Sequence, residues 1–534
     1  MHADLIFTRG IVHTLDPRRP RAEAVAVAGD RILDTGSSTE MLAYRGPQTR
    51  VVELGGRALL PGFYDAHQHQ LYMGLGYRQV NARVPSIREI LNQVRARAER
   101  QPPGSWIEGA GYDDNKLAER RHLTRHDLDA VAPDHPTFIT RTCGHVMALN
   151  SAALAAAGIG RETPDPPGGS IDRDLDSGEP TGVVRESAME WVRRVVPLPS
   201  LDQLKLAILE AADVNLRLGI TSVWEPSVEP DHVRAYRDLE ADGRLPLRVT
   251  MAHKKVLRSG EVVPLPQPFS GPWLKLVAVK LFQDGGIGPR TAALTAPYEG
   301  EPDNRGLLRW SQAELDAIVH EIHHAGLRVS IHAIGDAAIA SALDAIEAAL
   351  AAQPRADHRH RLEHCGLPLP ALQPRLVELG VIPVLQPPFL YFDGGTYVRN
   401  LGAKRSRWLY PARTLLHLGL TVAGSSDAPV VRNHSPLLGI RTAMTRVSFD
   451  GVSVAPEERV TLDEALQLYT RGAAVAGGEE TEKGTITAGK LADLVVLGAD
   501  PAALPIEELA DIPVEMVVVG GEIRITELPG SSGG

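Results

Sequence analysis

A parallel (β/α)8 barrel carrying a small sheet domain built from both ends of the chain is the fold this sequence predicts. Three observations lead there. Through the middle of the chain, short apolar runs alternate with amphipathic helical patterns. Histidine, lysine and aspartate stand in or at the ends of those runs, as they do where a barrel's strands deliver their chemistry. Both termini lack the helical patterns and read instead as short alternating strands separated by turn residues.

In chain order, residues 1–60 come first. The stretch Ala22 to Leu33 holds a Gly29-Asp30 turn between apolar runs, a hairpin signal. Arg57 to Phe63 then looks like a strand entering a core and leads into Asp65-Ala-His67-Gln-His69. On a strand, alternate side chains share a face, so His67 and His69 would point together. Two adjacent imidazoles suit a borderline metal such as zinc. Two surface histidines near a turn are the plainer alternative. Residues 75–200 break the barrel rhythm, since a βα connection takes only a few residues beyond its helix. They read as an inserted subdomain or lid, with Asp165 to Ser170 as loop.

The rhythm resumes at Ser200-Leu-Asp-Gln203, a helix start that runs toward Gly219, followed by the strand-like Ile220 to Pro226. Val277 to Asp284 places Lys280 inside an apolar strand. Ser311-Gln-Ala-Glu314 and Thr461-Leu-Asp-Glu464 are capping boxes that open helices. Between them, Leu327–His332, His360–His364 and Leu420–Asp427 each end on a candidate ligand. Lys490 to Ile525 returns to the terminal texture, with a Gly520-Gly521 hairpin. The expected domains are 1–60 with 478–530, a barrel over 61–477, and the 75–200 insertion within it.

The chain has 534 residues, too many for one compact core. Its 43% hydrophobic and 23% charged residues are ordinary for a globular protein. A formal net charge of -10 and the lack of a long basic run argue against a nucleic-acid partner. Two cysteines, Cys143 and Cys365, make no disulfide framework. No apolar stretch reaches membrane-spanning length and no signal peptide is evident. The expectation is a cytoplasmic protein without membrane or nucleic-acid partners, with a homodimer as the commonest oligomer. The ending Pro-Gly-Ser-Ser-Gly-Gly534 reads as a flexible tail.

The ordered set of His67 and His69, Lys280, His332, His364 and Asp427 resembles the metal-dependent amidohydrolase superfamily. One branch is especially similar, the amidohydrolase family 3 or YtcJ-like proteins, to which N-substituted formamide deformylases belong. The resemblance rests on Pro61-Gly-Phe-Tyr-Asp65, Lys280-Leu-Phe-Gln-Asp-Gly285, His332-Ala-Ile-Gly-Asp336, Arg361-Leu-Glu-His364, Gly424-Ser-Ser-Asp427 and the tail segment Gly484 to Leu497. It covers nearly the whole chain. It implies a β-sandwich beside the barrel and an insertion after the first barrel strand. Two departures are the glutamines Gln68 and Gln70, where relatives carry small or aliphatic residues, and Tyr112-Asp-Asp-Asn115 in the insertion.

The expected chemistry follows from the residue types. A divalent metal lowers the pKa of a bound water from about 15.7 to about 7 and so makes a nucleophile. His67, His69 and Asp427 could hold one ion, and His332 and His364 a second. Lys280 is the odd member, because a protonated ammonium has no lone pair for a metal. In several branches of the resembled superfamily a lysine here is N-carboxylated and bridges two ions; pairing of Lys280 with Asp284 is the alternative. His332 could instead be a core histidine, and Asp427 a helix N-cap. As a catalytic group, Asp427 would take the proton of the attacking water and pass it to the leaving amine.

His145, in Thr142-Cys-Gly-His-Val-Met147, looks like a Gly-His element of the branch's insertion. It would polarise or orient substrate, or else be structural. The loop from Asp284 and Gly285 could offer backbone N–H groups to substrate. Cys365 would pack between barrel and helices, and His323 and His324 would stay away from the strand ends. Hydrolysis of a small amide, an N-acyl or N-formyl amine, is the leading expectation. Ester, lactone or carbamate hydrolysis, or deamination, at the same site is the second. A ligand-binding scaffold that has lost catalysis is the third.

Overall fold

The computed structural model describes residues 2–142, 144–257 and 261–528, so the expected flexible tail lies outside the described residues. Its chain packs as two compact units, Met1–Met73 with Ile208–Gly534, and Gly74–Ala207.

The larger unit is built on eight parallel strands in chain order. They are β1 (Phe63–Asp65), β2 (Ile220–Val228), β3 (Arg248–Lys254), β4 (Leu274–Phe282), β5 (Arg328–Ala333), β6 (Arg361–His364), β7 (Ile382–Leu385) and β8 (Ala423–Gly424). Each pairs with its neighbour in the sequence. Between β1 and β8 the backbone also connects: Ala66 N–H donates to Gly424 C=O at 3.3 Å. This is a nearly closed barrel. Its strands are buried along their length, β2 at all nine positions, as a parallel sheet covered on both faces requires.

The helix starts lie where the capping boxes place them. Ser311 caps Gln312–His324 and Thr461 caps Leu462–Gln467, each with the reciprocal glutamate bond. Ser200 precedes Leu201–Arg217, and Gly219 adopts φ 78° before β2, a conformation that costs glycine little.

The apolar run from Arg57 to Phe63, expected as one strand, is divided at Gly62. Ala58–Pro61 pairs with Ile11–His13 and with Leu494–Leu497, whereas Phe63–Asp65 enters the barrel. Both terminal hairpins form, Ala24–Ala28 with Arg31–Gly36 and Val514–Val519 with Glu522–Thr526. The termini build one four-stranded and one six-stranded sheet. Leu5, Phe7 and Val27 from the first share a buried cluster with Leu59, Leu494 and Val518 from the second.

A largely buried ionic cluster joins residues 479–493 to the starts of the barrel strands. Glu479 pairs with Lys275 at 2.7 Å and Lys483 at 3.3 Å, and Lys483 donates to Ser222 Oγ. Arg248 of β3 pairs with Asp493 at 2.7 Å. Pairs this buried are costly to break by removing one partner, and they fix the position of each segment.

The smaller unit is a six-stranded mixed sheet with the order Gly169–Arg173, Pro180–Glu186, Val146–Leu149, Thr137–Arg141, Ile107–Tyr112 and Val80–Asn81. Helices Ile87–Ala98 and Ala188–Val195 pack apolar faces into two separate clusters. Arg141 clamps Asp113 and Asp114 of the departing Tyr112–Asn115 segment.

Candidate metal centre

Asp65, the last residue of β1, organises the centre. Its buried carboxylate accepts from the Ser426 N–H at 3.0 Å, the Ser426 hydroxyl, the His67 N–H at 3.2 Å and the Gln68 amide at 3.1 Å. These bonds draw the segment after β1 against the segment after β8. The Asp427 N–H then donates to His67 C=O, and the His69 N–H to Ala428 C=O, both at 2.8 Å. His67 and His69 therefore lie past the end of β1, not on it as the strand reading had them. Their side chains still alternate. Gln68 turns away to Asn215, while both Nε2 atoms stand 3.3 Å from Asp427 Oδ1.

Asp427 has φ 59° and His364 φ 71°, left-handed values uncommon outside glycine. Such conformations collect at functional sites. At His364 the twist breaks the alternation at the end of β6. Glu363 binds His67 Nδ1, yet His364, its neighbour, also lies ring to ring with His67 at 5.0 Å and with His332 at 4.4 Å.

The remaining nitrogens are fixed by partners behind them. Glu363 is held by Arg361, whose guanidinium lies 4.0 Å over the Trp224 ring. His364 Nδ1 bonds to Gln386 Oε1 at 2.7 Å. His332 Nε2 is 3.1 Å from Gly285 C=O, which leaves Nδ1 as the nitrogen available to a metal. Partners of this kind set ring orientation and raise ligand basicity at metal sites.

Among the described residues, His67, His69 and Asp427 form the one group whose donor atoms converge closely enough to hold an ion. His332, His364 and Lys280 lie around it. His67 Nε2, Asp427 Oδ1 and Lys280 Nζ are buried without a hydrogen-bond partner. Unsatisfied buried polar atoms are expensive and rare, and nitrogen and carboxylate donors gathered this way fit a divalent cation such as zinc.

The electrostatics agree with that fit. Burial opposes ionisation of Asp427, but the close contacts with His67 and His69 outweigh it and hold the carboxyl well below its usual range. Burial, then the charge of Lys280, pushes His332 down to about 3. Burial, then His332, keeps His364 well below the ordinary histidine value. Neutral imidazoles and an ionised carboxylate are the forms that ligate. Burial pushes Lys280 down to about 8 against the pull of Glu363 and Asp427.

Lys280 does not pair with Asp284. The Asp284 carboxylate accepts from the N–H groups of Ala293, Ile334 and Gly335 at 3.0, 3.0 and 2.8 Å, and it shapes the loop. The Gly285 N–H donates to Thr291 C=O, and a Cβ at Gly285 would meet Thr291 Oγ1 at 2.2 Å. Both residues are thus engaged within the protein. His145 lies in the smaller unit, 66% exposed at its side chain, with Nδ1 3.0 Å from Glu186. Cys365 is buried, and burial pushes its thiol up, away from a nucleophile's range. His323 is buried against His360, and His324 bonds Gln353 on the helix exterior.

Asp65, Glu363 and Gln386 escaped the sequence reading as site residues. Asp65 and Glu363 sit inside quoted motifs, and their position one or two residues from a ligand was the available signal. Gln386, the first residue past β7, carried none.

Comparison with known proteins gives a consistent picture. The amidohydrolase family model matches residues 50–525. The chain is 33% identical to the putative amidohydrolase YtcJ of Bacillus subtilis, over 97% of this chain and 98% of that one. It is 32% identical to an N-substituted formamide deformylase of Arthrobacter pascens, over 98% of each. A solved metal-dependent hydrolase of Pyrococcus furiosus superposes with a TM-score of 0.77 at 29% identity, covering 93% of this chain and 99% of that one.

Proposed function

The chain belongs to the amidohydrolase family, an enzyme family acting on carbon–nitrogen bonds, and on that premise we propose that it hydrolyses a small amide of the N-acyl or N-formyl amine type. The observation that carries the reading is the convergence of His67, His69 and Asp427 with unsatisfied buried atoms turned into one point. The relative named as a formamide deformylase supports the amide side of it. When bound, one or two divalent ions, zinc in this reading, would supply Lewis acidity and lower the pKa of a water to about 7.

The chain's own residues do the rest. His67 and His69 would hold an ion with Asp427, and His332 and His364 a second. Lys280, whose buried Nζ has no hydrogen-bond partner, is assigned an N-carboxyl group. Asp427, kept ionised beside two imidazoles, takes a proton from the attacking water at a carboxylate oxygen. It returns that proton to the leaving nitrogen, which departs poorly as an anion. Glu363 and Gln386 hold His67 and His364 in the ligating orientation. The two-sheet module of the termini is read as a β-sandwich, and residues 75–200 as an insertion in the barrel. His145 carries none of this assignment.

A panel of small amides, esters and amino-heterocycles, assayed on one batch of protein, tests the reading. Amides should be turned over fastest, and Asp427→Asn should cut kcat by about a hundredfold or more, the size of a general-base contribution. Activity confined to esters would overturn the amide assignment. An unchanged rate in Asp427→Asn would overturn the role of that carboxylate.

A further inference from the structure

Beside the candidate metal centre, the ends of β3 and β4 and the loop before Gln312–His324 enclose a cavity of about 280 Å³. Its lining is divided by chemistry. Val256, Leu257, Leu281 and Phe282 supply apolar wall, while Lys254 and Arg309 supply cations, with Trp310 alongside and Lys280 at the side of the candidate metal centre. Among the described residues, no aspartate or glutamate lines it. That is unusual in a chain with a net charge of -10. Lys254 is already partly neutralised by Glu229 at 3.4 Å. Arg309 is exposed and makes no ion pair among the described residues, and its backbone N–H is fixed on Gln283 C=O at 2.7 Å. A further donor, Trp310 Nε1, is buried without a hydrogen-bond partner.

An unsatisfied buried donor is costly, and Trp310 Nε1 beside Arg309 and Lys254 asks for an acceptor that is negative. The apolar wall asks for carbon beside it, and the volume, near the roughly 300 Å³ lower end of ligand pockets, suits an aryl-sized group. We propose that this cavity is a specificity subsite that takes a carboxylate-bearing, apolar arm of the substrate, with Arg309 and Trp310 as its recognition donors. Because Lys280 belongs both to the lining and to the candidate ligand set, the arm would occupy the cavity while the scissile group lies at the centre. The proposal rests on the hydrolase reading for the reaction, though not for the binding.

Two measurements separate these. In calorimetry, benzoate should bind and benzyl alcohol should bind far more weakly. Arg309→Gln should weaken benzoate about tenfold or more, the scale of a charge-assisted hydrogen bond. Trp310→Phe, which keeps the ring and deletes the N–H, should weaken it less. Arg244→Gln, an exposed change before the start of β3, should not alter it. In turnover, N-acetyl-4-(aminomethyl)benzoate should exceed N-acetylbenzylamine in kcat/KM, and the ratio should fall in Arg309→Gln. Benzoate binding that ignores both variants, or that is no tighter than benzyl alcohol, overturns the subsite. Hydrolysis of both amides without preference for the acid also overturns it and leaves the hydrolase standing. Turnover of neither, with benzoate binding that follows Arg309, overturns the reaction and leaves the subsite standing.

Discussion

Glu363 shows how much of the centre is decided one residue away from its candidate ligands. It receives His67 Nδ1 on one side and Arg361 on the other, with all three side chains buried. Glu363→Gln keeps the shape but removes the charge. Arg361 would then be a buried cation with less compensation, and His67 would keep at best a neutral amide oxygen, a weaker acceptor, because the amide turns an NH2 toward the other donors. Removing one partner of a buried pair costs roughly 3–5 kcal/mol, and losing such a support costs a metal site about 10–100-fold in affinity. Urea unfolding and zinc titration of the same variant should show both losses. Normal zinc affinity in a destabilised Glu363→Gln would mean that the carboxylate serves the barrel core alone. The sequence made the histidines legible, because spacing and order are one-dimensional. It could not show which oxygen stands behind which nitrogen. That depends on the left-handed turn at His364, which no residue type there announces.

Between elements, a chain of histidines links the helix Gln312–His324 to β5 and β6. Val329 N–H donates to His360 Nδ1 at 3.0 Å, so a neutral His360 offers Nε2–H to His323 Nδ1 at 2.8 Å. His323 in turn bonds Gln353 C=O, and His358 accepts from the His360 N–H and bonds Leu379 C=O. Every ring nitrogen is committed in the neutral form, and an added proton on His360 has no acceptor. Burial, then the charges of His358, Arg355, His323 and Arg328, pushes His360 down to about 2. The unfolded chain binds that proton near pH 6.5. Stability from this residue is therefore complete above about pH 6.5 and is lost as pH falls toward 2. The slope approaches about 1.4 kcal/mol per pH unit. Denaturant unfolding at pH 7.5 and 5.0 should show a shallower dependence in His360→Gln than in the parent. Parallel dependences would show that His360 is protonated in the fold. At this scale the capping boxes and hairpins were readable, whereas the division of Arg57–Phe63 between two sheets was not. An apolar run reports burial and not which sheet does the burying.

Across the whole molecule, the barrel's seam is its thinnest part. Strand β8 has two residues and β1 three, and bonds just beyond them carry the junction: Ala66 N–H to Gly424, Asp427 N–H to His67, and His69 N–H to Ala428. The alternation of strands and helices made the barrel legible, but nothing in Leu420 to Asp427 showed how short its last strand would be. The three converging ligands straddle this seam, two after β1 and one after β8. An ion held by them would join the first strand to the last. Any species that binds only the folded chain stabilises it, by about 2.7 kcal/mol at a hundredfold excess over its dissociation constant. Here that stabilisation should be local, because opening the seam separates ligands and opening β3 from β4 does not. Chelation should therefore raise hydrogen exchange first in peptides covering 62–71 and 423–430, with β3 and β4 still protected, and added zinc should reverse it. Exchange that rises evenly through the barrel would place the ion's contribution in the fold as a whole. Exchange unchanged by chelator, in protein that takes up no zinc, would remove the metal from the account of this seam.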